Sequence, residues 1–179
     1  LVPGFVPAVF NDVSSVKDVV SEKTTAIIVE PLQGEGGINF AVSSFLQEVE
    51  RIARKNDALI IVDEVQCGMG RTGKLFAHEH FGITPDIMTV AKPLAGGLPI
   101  GAVVVGPKVW PEIKPGEHAA TFGGNHFVTA VACGVFDILA DSGFLADVAE
   151  KGEYLAISLE DIASKYDSVK EIRGKGLLM

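Results

Sequence analysis

The sequence predicts an α/β protein with a mostly parallel sheet that is covered by helices on both faces. Four short runs are almost purely apolar, at residues 26–29, 58–62, 86–90 and 101–106. None of them alternates polar with apolar residues, as a strand with one solvated face would. A helical pattern, "SSFLQEVERIARKN", separates the first two runs, so strand, helix and strand form a βαβ unit.

The helix inside this βαβ unit has the clearest pattern. Its apolar side chains recur at helical spacing, at positions 45, 46, 49, 52 and 53. Ser44 and Gln47 are spaced as a capping box, which predicts the start of the helix. A shorter helix is expected earlier in the chain, at 13–22. The apolar stripe predicts that the longer helix packs one side against the sheet.

Two more helices are expected after the last strand. The segment 126–141 is apolar on most sides, which predicts a buried helix, and Asn125 is placed to cap it. The segment 144–166 has an amphipathic pattern and predicts a partly solvated helix. The sequence contains no internal repeat that would indicate a solenoid.

Composition excludes several classes of protein. The chain has 179 residues, is 47% hydrophobic and carries a formal net charge of -8. A surface this acidic disfavours nucleic acid as a partner. No apolar run approaches the roughly 18 residues that span a bilayer, so no membrane association is expected. Cys67 and Cys133 lack the spacing of a disulfide framework and are interpreted as reduced thiols.

The two ends of the sequence predict that it is an internal part of a longer protein. The chain opens with "LVPGFVPAVF" and lacks an initiating methionine. It stops at "IRGKGLLM", which resembles the beginning of a further strand. We therefore expect the chain to be inactive by itself.

Charged side chains follow three of the predicted strands. Glu30, Asp63 and Lys92 each stand where an apolar run ends, and Glu35 lies in the loop after the first run. Each can be explained as a strand exit, a cap or a structural ion pair. Because ligands of open α/β sheets bind at the carboxyl ends of the strands, the same residues also predict a site. Lys92 then becomes a candidate nucleophile, since desolvation at a strand end favours its free amine.

Other motifs leave alternatives open. Gly68, Gly70 and Gly73 spell the G-x-G-x-x-G of a dinucleotide-binding loop, but "DEVQC" separates them from the strand. A nucleotide-binding module therefore remains a weak alternative, and glycines of a folded-back loop explain the pattern better. His78 and His80 are expected to point to different faces as a surface pair, with no metal bound.

A second loop offers a hydroxyl group for binding. Thr121 precedes two glycines whose backbone can approach a ligand closely. A simple capped turn explains these residues equally well. A lysine and a carboxylate at strand ends, with a hydroxyl on a glycine loop, suit pyridoxal phosphate, which needs a lysine for its Schiff base and an acid that keeps its ring nitrogen protonated.

Several motifs together resemble the class III pyridoxal-phosphate-dependent aminotransferases. They are "VEPLQGEGG", "DEVQCGMGRTG", "PDIMTVAKPLAGGLPIGA", "FGGN" and "IRGKGLL". The resemblance implies a type I fold, with this chain as the central part of its large domain. Residues 1–145 would then form the central part of the domain that binds the cofactor. Residues 146–179 would end that region and run toward the small C-terminal domain.

The resemblance also implies roles for individual residues. Lys92 would form the Schiff base, and the cofactor would be held by Asp63, Val65, Gln66, Lys92 and Thr121. Thr121 would reach the phosphate from the partner subunit of a homodimer whose active sites lie at the interface. Glu35 would bind substrate, and Glu30 would be an acid behind the site. The phosphate loop and the arginine that holds the substrate carboxylate would lie outside this chain.

The activity implied by the resemblance is a transamination in arginine biosynthesis. The terminal amine of N-acetylornithine would pass to 2-oxoglutarate, with ornithine or another ω-amine as the alternative donor. The remaining alternatives are the nucleotide-binding module and a catalytically inert fragment. The resemblance is compatible with the mitochondrial matrix or the cytoplasm.

Overall fold

The computed structural model describes residues 2–179 and contains a four-stranded sheet, a two-stranded hairpin and four α-helices within that range. In chain order the elements are α1 (Val13–Val19), β1 (Ala26–Val29), β2 (Leu32–Gln33), β3 (Asn39–Phe40), α2 (Ser43–Lys55), β4 (Leu59–Asp63), β5 (Ile87–Val90), β6 (Ala102–Val105), α3 (His126–Leu139) and α4 (Ser142–Ala163). The large sheet has the order β1-β4-β5-β6. Its first three strands are parallel and β6 runs antiparallel, so the predicted mostly parallel sheet is confirmed.

One face of the sheet carries the main core. Ile60 and Val62 of β4 are buried there and pack against α1 and α2. The opposite face is less covered than the apolar runs predict, because Ile28 is 56% exposed and Val103 is 64% exposed. The prediction of strands buried on both faces is therefore wrong within residues 2–179, where no element covers these two side chains.

Helix α2 confirms the predicted apolar stripe and corrects its predicted start. The buried side chains of the helix are Phe45, Leu46, Val49, Ile52 and Ala53. Each large one contributes about 1.5–3 kcal/mol of burial free energy. The capping box at Ser44 and Gln47 does not form, because the helix begins two residues earlier than that box predicts and its N-cap, Val42, has no capping side chain. Gln47 Nε2 instead donates to the Phe81 carbonyl oxygen at 3.0 Å, so tertiary contact replaces the local cap.

Helix α3 begins where the sequence predicts but is not buried. Asn125 caps it, since its Oδ1 accepts from the Val128 backbone N–H at 3.1 Å. Phe127 is 67% exposed and Ile138 is 62% exposed, so the prediction of a buried helix is wrong for this chain. Among residues 2–179 no single helix is long and apolar enough to cross a membrane, and α3 and α4 meet that composition only jointly, across a 65° bend.

A partly buried ion pair joins α2 to the amino-terminal edge of the sheet. The Asp86 side chain is 10% exposed, and its Oδ2 accepts from Arg54 Nη1 at 2.5 Å. The same oxygen accepts from the Ile60 backbone N–H at 2.8 Å. Arg54 Nη2 also donates to the Thr84 carbonyl oxygen at 2.7 Å. Asp86 thus fixes the start of β4 relative to the segment that leads into β5.

Removal of the Asp86 carboxylate is expected to destabilise the protein. Asp86→Ala should lower the free energy of unfolding by about 2–4 kcal/mol, because it leaves the buried Ile60 N–H without an acceptor and removes the ion pair with Arg54. Asp161→Ala breaks the exposed pair with Lys165 and should change stability by less than about 0.5 kcal/mol. Urea unfolding of both variants measures the difference. Equal losses would contradict the assignment of Asp86 as a structural clamp.

The C-terminal segment contacts α4 and the loop after β4 through two glycines. The Leu177 backbone N–H donates to the Arg71 carbonyl oxygen at 2.9 Å. A methyl group added to Gly152 would lie 2.5 Å from the Gly176 Cα, and one added to Gly176 would lie 2.6 Å from the Thr72 carbonyl carbon. We call this three-way contact the glycine seam. It brings three backbones closer together than side chains at positions 152 and 176 would permit.

Candidate active site

The three strand-end residues lie at one edge of the sheet. Glu30 follows β1, Asp63 ends β4 and Lys92 follows β5 after one intervening residue. The three strands are parallel neighbours, so their carboxyl ends meet there. Glu35 reaches the same edge from the turn between β2 and β3, and Gln66 reaches it from the loop after β4, because both contact the Lys92 amine.

Asp63 is held in a defined orientation. Its Oδ1 accepts from the Val65 backbone N–H at 3.0 Å and from Thr89 Oγ1 at 2.9 Å. No donor among residues 2–179 reaches Oδ2 at hydrogen-bonding distance. That second oxygen can therefore accept a hydrogen bond from a ligand N–H group.

Lys92 extends from the strand end into a polar setting. Its Nζ donates to Gln66 Oε1 and lies 3.9 Å from Glu35 Oε1. The lysine side chain is 43% exposed and the Glu35 side chain is 92% exposed. The desolvation expected for Lys92 is therefore not provided by residues 2–179. The amine is instead accessible to a small carbonyl compound.

Glu30 adds a second carboxylate behind Asp63. Burial and the nearby charge of Asp63 raise the pKa of Glu30, while the Gly34 backbone N–H and Lys92 act in the opposite direction. Glu30 therefore binds a proton at a higher pH than an ordinary glutamate does.

Thr121 is not brought to this cluster. It lies in an exposed loop before α3 and makes no hydrogen bond to Asp63, Gln66 or Lys92 within residues 2–179. Val65 is half-buried in the turn after Asp63, with its backbone N–H on the Asp63 carboxylate. The structure thus joins every predicted site residue except Thr121 at one edge.

The sequence does not predict the structural role of Glu64, which binds the short 3-10 helix. The side chain is fully buried and accepts from the backbone N–H groups of Ala77 and His78, at 2.9 and 2.8 Å. His78 Nδ1 lies 2.9 Å from Glu64 Oε1, and the Cys67 thiol contacts Oε2 at 3.3 Å. These bonds attach the short 3-10 helix at Ala77–His80 to the end of β4. Its sequence neighbours supply no signal that would separate it from Asp63.

The prediction that His78 and His80 form a surface pair is wrong. The two side chains point in different directions, as expected, but each contacts a partner inside the protein. The His78 side chain is 14% exposed, and His80 Nε2 lies 3.0 Å from Thr72 Oγ1. Burial lowers the pKa of His80, and the charges of Lys175 and Lys74 lower it further. Within residues 2–179 no group of three histidine, cysteine or acidic side chains is arranged to hold a metal ion.

The loop after β4 is folded back on itself. Gly70 and Gly73 have φ values of 87° and 83°, in the left-handed region, and Gly68 packs against the Glu64 backbone. None of these glycines opens an α-helix, which the dinucleotide fingerprint requires. Burial, with the charge of Glu64, raises the pKa of Cys67, so this thiol is not an activated nucleophile. The loop supports the edge where Asp63 and Lys92 meet.

Comparison with known proteins identifies the family to which the chain belongs. The model of the family described as aminotransferase class III matches residues 6–179. The chain belongs to the class III aminotransferases. A curated class III relative, the probable mitochondrial acetylornithine aminotransferase of Dictyostelium discoideum, is 51% identical over 98% of this chain and 40% of its own length.

Solved structures of class III aminotransferases share the fold. The acetylornithine aminotransferase of Elizabethkingia anophelis is 37% identical, with a TM-score of 0.92 over 98% of this chain and 45% of that one. The ornithine aminotransferase of Toxoplasma gondii, solved with partial occupancy of PLP at its active site, is 36% identical, with a TM-score of 0.92 over 98% of this chain and 42% of that one. The type I fold expected from the resemblance is thereby confirmed.

This class III chain spans less than half the length of these relatives. The missing share gives a physical reason for the apolar side chains left exposed on α3 and on β6. Each such element is one layer of a larger packed domain in a protein of this family. The apolar patterns of α3 and of both sheet faces therefore suit burial in a longer protein, and residues 2–179 alone do not provide that burial.

The class III aminotransferases are pyridoxal phosphate enzymes, and the residues at this edge fit that cofactor. Lys92 presents an accessible amine of the kind that condenses with an aldehyde. Asp63 presents a carboxylate oxygen that no described residue occupies, which suits a protonated ring nitrogen. Both groups are placed by neighbouring parallel strands.

Proposed function

We propose that the intact protein is a pyridoxal-phosphate-dependent transaminase that moves the terminal amine of N-acetylornithine to 2-oxoglutarate. The observation that supports this proposal is the placement of Lys92 and Asp63 at the ends of two adjacent parallel strands. The family membership and the acetylornithine aminotransferases among the relatives support the substrate. In this reading the protein acts in arginine biosynthesis.

Lys92 is the catalytic residue of the proposal. Its amine would hold the cofactor covalently, and once displaced the same nitrogen would carry the proton that leaves the substrate carbon bearing the terminal amine. Pyridoxal phosphate supplies an electron-withdrawing ring when it is bound. Asp63 Oδ2 would accept a hydrogen bond from the ring nitrogen and so favour its protonated form.

The remaining site residues orient the reacting groups. Gln66 accepts from the Lys92 amine and would lie near the phenolic oxygen of the cofactor. Val65 would pack against the ring. Glu35 is exposed beside Lys92 and would bind the substrate. Glu30 lies behind the site and supports it through its contacts with the loop after β1.

We infer a homodimer in which Thr121 of one subunit contacts the phosphate in the site of the other. Its exposed position and its separation from Lys92 within one chain support this role. Residues 1–145 then form the central part of the cofactor domain, and 146–179 lead toward the small domain. The mitochondrial matrix and the cytoplasm both remain compatible with the proposal, which includes neither a nucleic acid nor a membrane partner.

The donor substrate is tested by steady-state kinetics of the intact protein. We expect kcat/KM for N-acetylornithine to exceed that for ornithine by at least about tenfold, because a site built for the acyl group loses contacts with the free amine. Ornithine is the second candidate, supported by the ornithine aminotransferase with the same fold. A preference for ornithine would overturn the substrate assignment and leave the reaction type intact.

A further inference from the structure

We propose that Thr89 is a positioning residue that orients the Asp63 carboxylate toward the cofactor ring. This inference rests on the proposed function, since it concerns the cofactor that Asp63 holds. Thr89 lies in β5, in the strand that leads directly to Lys92. Strand β5 therefore contains the hydroxyl that orients the Asp63 carboxylate, and it leads to the lysine.

The strand register places the two residues side by side. Asp63 and Thr89 are paired positions of the parallel strands β4 and β5. The Glu64 backbone N–H donates to the Thr89 carbonyl oxygen at 3.0 Å, which fixes this register next to the pair. Side chains at paired positions share one face of a sheet. Here that face is opposite the buried Val62 and Val90.

The hydrogen bonds decide which carboxylate oxygen is free. Thr89 Oγ1 donates to Asp63 Oδ1 at 2.9 Å, and the Val65 N–H donates to the same oxygen at 3.0 Å. Two donors on one oxygen, from different directions, oppose rotation of the carboxylate about its Cβ–Cγ bond. Oδ2 is then directed away from the protein donors. Without the hydroxyl, the single bond from Val65 would allow either oxygen to face the ring.

The residue type itself points to this use of the hydroxyl. The other residues of β5 are Ile87, Met88 and Val90, so Thr89 is the one polar side chain in the strand. Valine has nearly the same shape and equal preference for a strand. The hydrogen bond to a charged acceptor is what threonine adds over valine, and such bonds are stronger than those between neutral groups.

The experiment compares three variants of the intact protein with the wild type. Thr89→Val removes the hydroxyl at constant shape, and Thr89→Ser restores it. Thr25→Val is the matched control, because Thr25 is exposed beside the same sheet and its side chain makes no hydrogen bond within residues 2–179. Three quantities are measured: the Kd for pyridoxal phosphate by equilibrium dialysis, the pH dependence of the visible absorption of the bound cofactor, and Tm.

We expect Thr89→Val to weaken cofactor binding by roughly tenfold, the value of one hydrogen bond to a charged group. It should also shift the pH dependence of the absorption, because Asp63 no longer holds the ring nitrogen in one orientation. Thr89→Ser should restore most of both properties, and Thr25→Val should resemble the wild type. Thr89→Ala removes the same donor and repeats the comparison if valine prevents folding.

Two results would overturn the role of Thr89. In the first, Thr89→Val lowers Tm but keeps the wild-type Kd and absorption profile, which would make the hydroxyl purely structural. In the second, Thr89→Ser loses cofactor affinity as far as Thr89→Val does, although it keeps the hydroxyl, which would show that the hydroxyl does not orient Asp63. A wild-type protein that binds no pyridoxal phosphate would overturn the proposed function and this inference with it.

Discussion

Replacement of Lys92 with alanine is expected to lower kcat for transamination by about four orders of magnitude or more. The variant loses the amine that binds the cofactor and the nitrogen that moves the substrate proton, so two contributions disappear together. Asp63 and Gln66 remain in place, and non-covalent cofactor binding should persist at reduced affinity. Single-turnover kinetics with N-acetylornithine, followed through the cofactor absorption, measures the loss.

Lys108 provides the matched control for Lys92. Its side chain is 48% exposed, against 43% for Lys92, and its Nζ lies 2.7 Å from Asp57 Oδ1. Lys108→Ala should retain wild-type kcat, since this pair lies outside the strand-end cluster. Borohydride reduction and peptide mapping of the wild type should place the pyridoxyl group on Lys92. An adduct on another lysine, or normal turnover by Lys92→Ala, would refute the assignment.

Glu64→Ala is expected to lower the free energy of unfolding by about 3–5 kcal/mol. The carboxylate is fully buried and accepts two backbone N–H groups of the 3-10 helix, together with contacts from His78 and Cys67. Alanine leaves those donors buried without an acceptor and opens a cavity. Glu64→Gln keeps one acceptor oxygen and should cost less. Denaturant unfolding of the holoenzyme measures the order of the two variants.

The control for Glu64 is an acid of the same type at the surface. Glu22 is exposed and its side chain makes no hydrogen bond within residues 2–179, so Glu22→Ala should change stability by less than about 0.5 kcal/mol. If Glu64→Ala were as stable as Glu22→Ala, the buried network would contribute little to folding. In that case the 3-10 helix would be held by its apolar contacts alone.

The sequence predicts the sheet well because its strands are short apolar runs with clear ends. It predicts Lys92 and Asp63 as a pair because each is a charged group beside a buried run. The direction of β6 was not predicted, although the connection at 91–101 is short and a parallel crossover needs a dozen or more residues. The local sequence pattern therefore predicts where the strands lie but does not predict the direction in which β6 runs.

Other residues could not be predicted because their surroundings are tertiary. Asp63 and Glu64 are adjacent acids, yet Asp63 faces the ligand edge and Glu64 is fully buried. Successive side chains of an extended chain point to opposite faces, so the two carboxylates have different surroundings. The roles expected for Val65 and Gln66 depended on the family resemblance, because their side chains carry no chemistry that would single them out in one sequence. The hydroxyl of Thr121 marks it as a possible ligand contact, but its role at the phosphate depended on the resemblance too.

The glycine seam limits how far this sequence can diverge. At position 152 an added methyl group meets the backbone of Gly176, and at 176 it meets the backbone of Thr72. A backbone cannot be made smaller by a second substitution, so neither position has a compensating partner elsewhere in the chain. Drift to alanine would instead require the C-terminal segment, α4 and the loop after β4 to separate together. The position of the loop that carries Gln66 therefore depends on Gly152 and Gly176, which are remote from the chemistry.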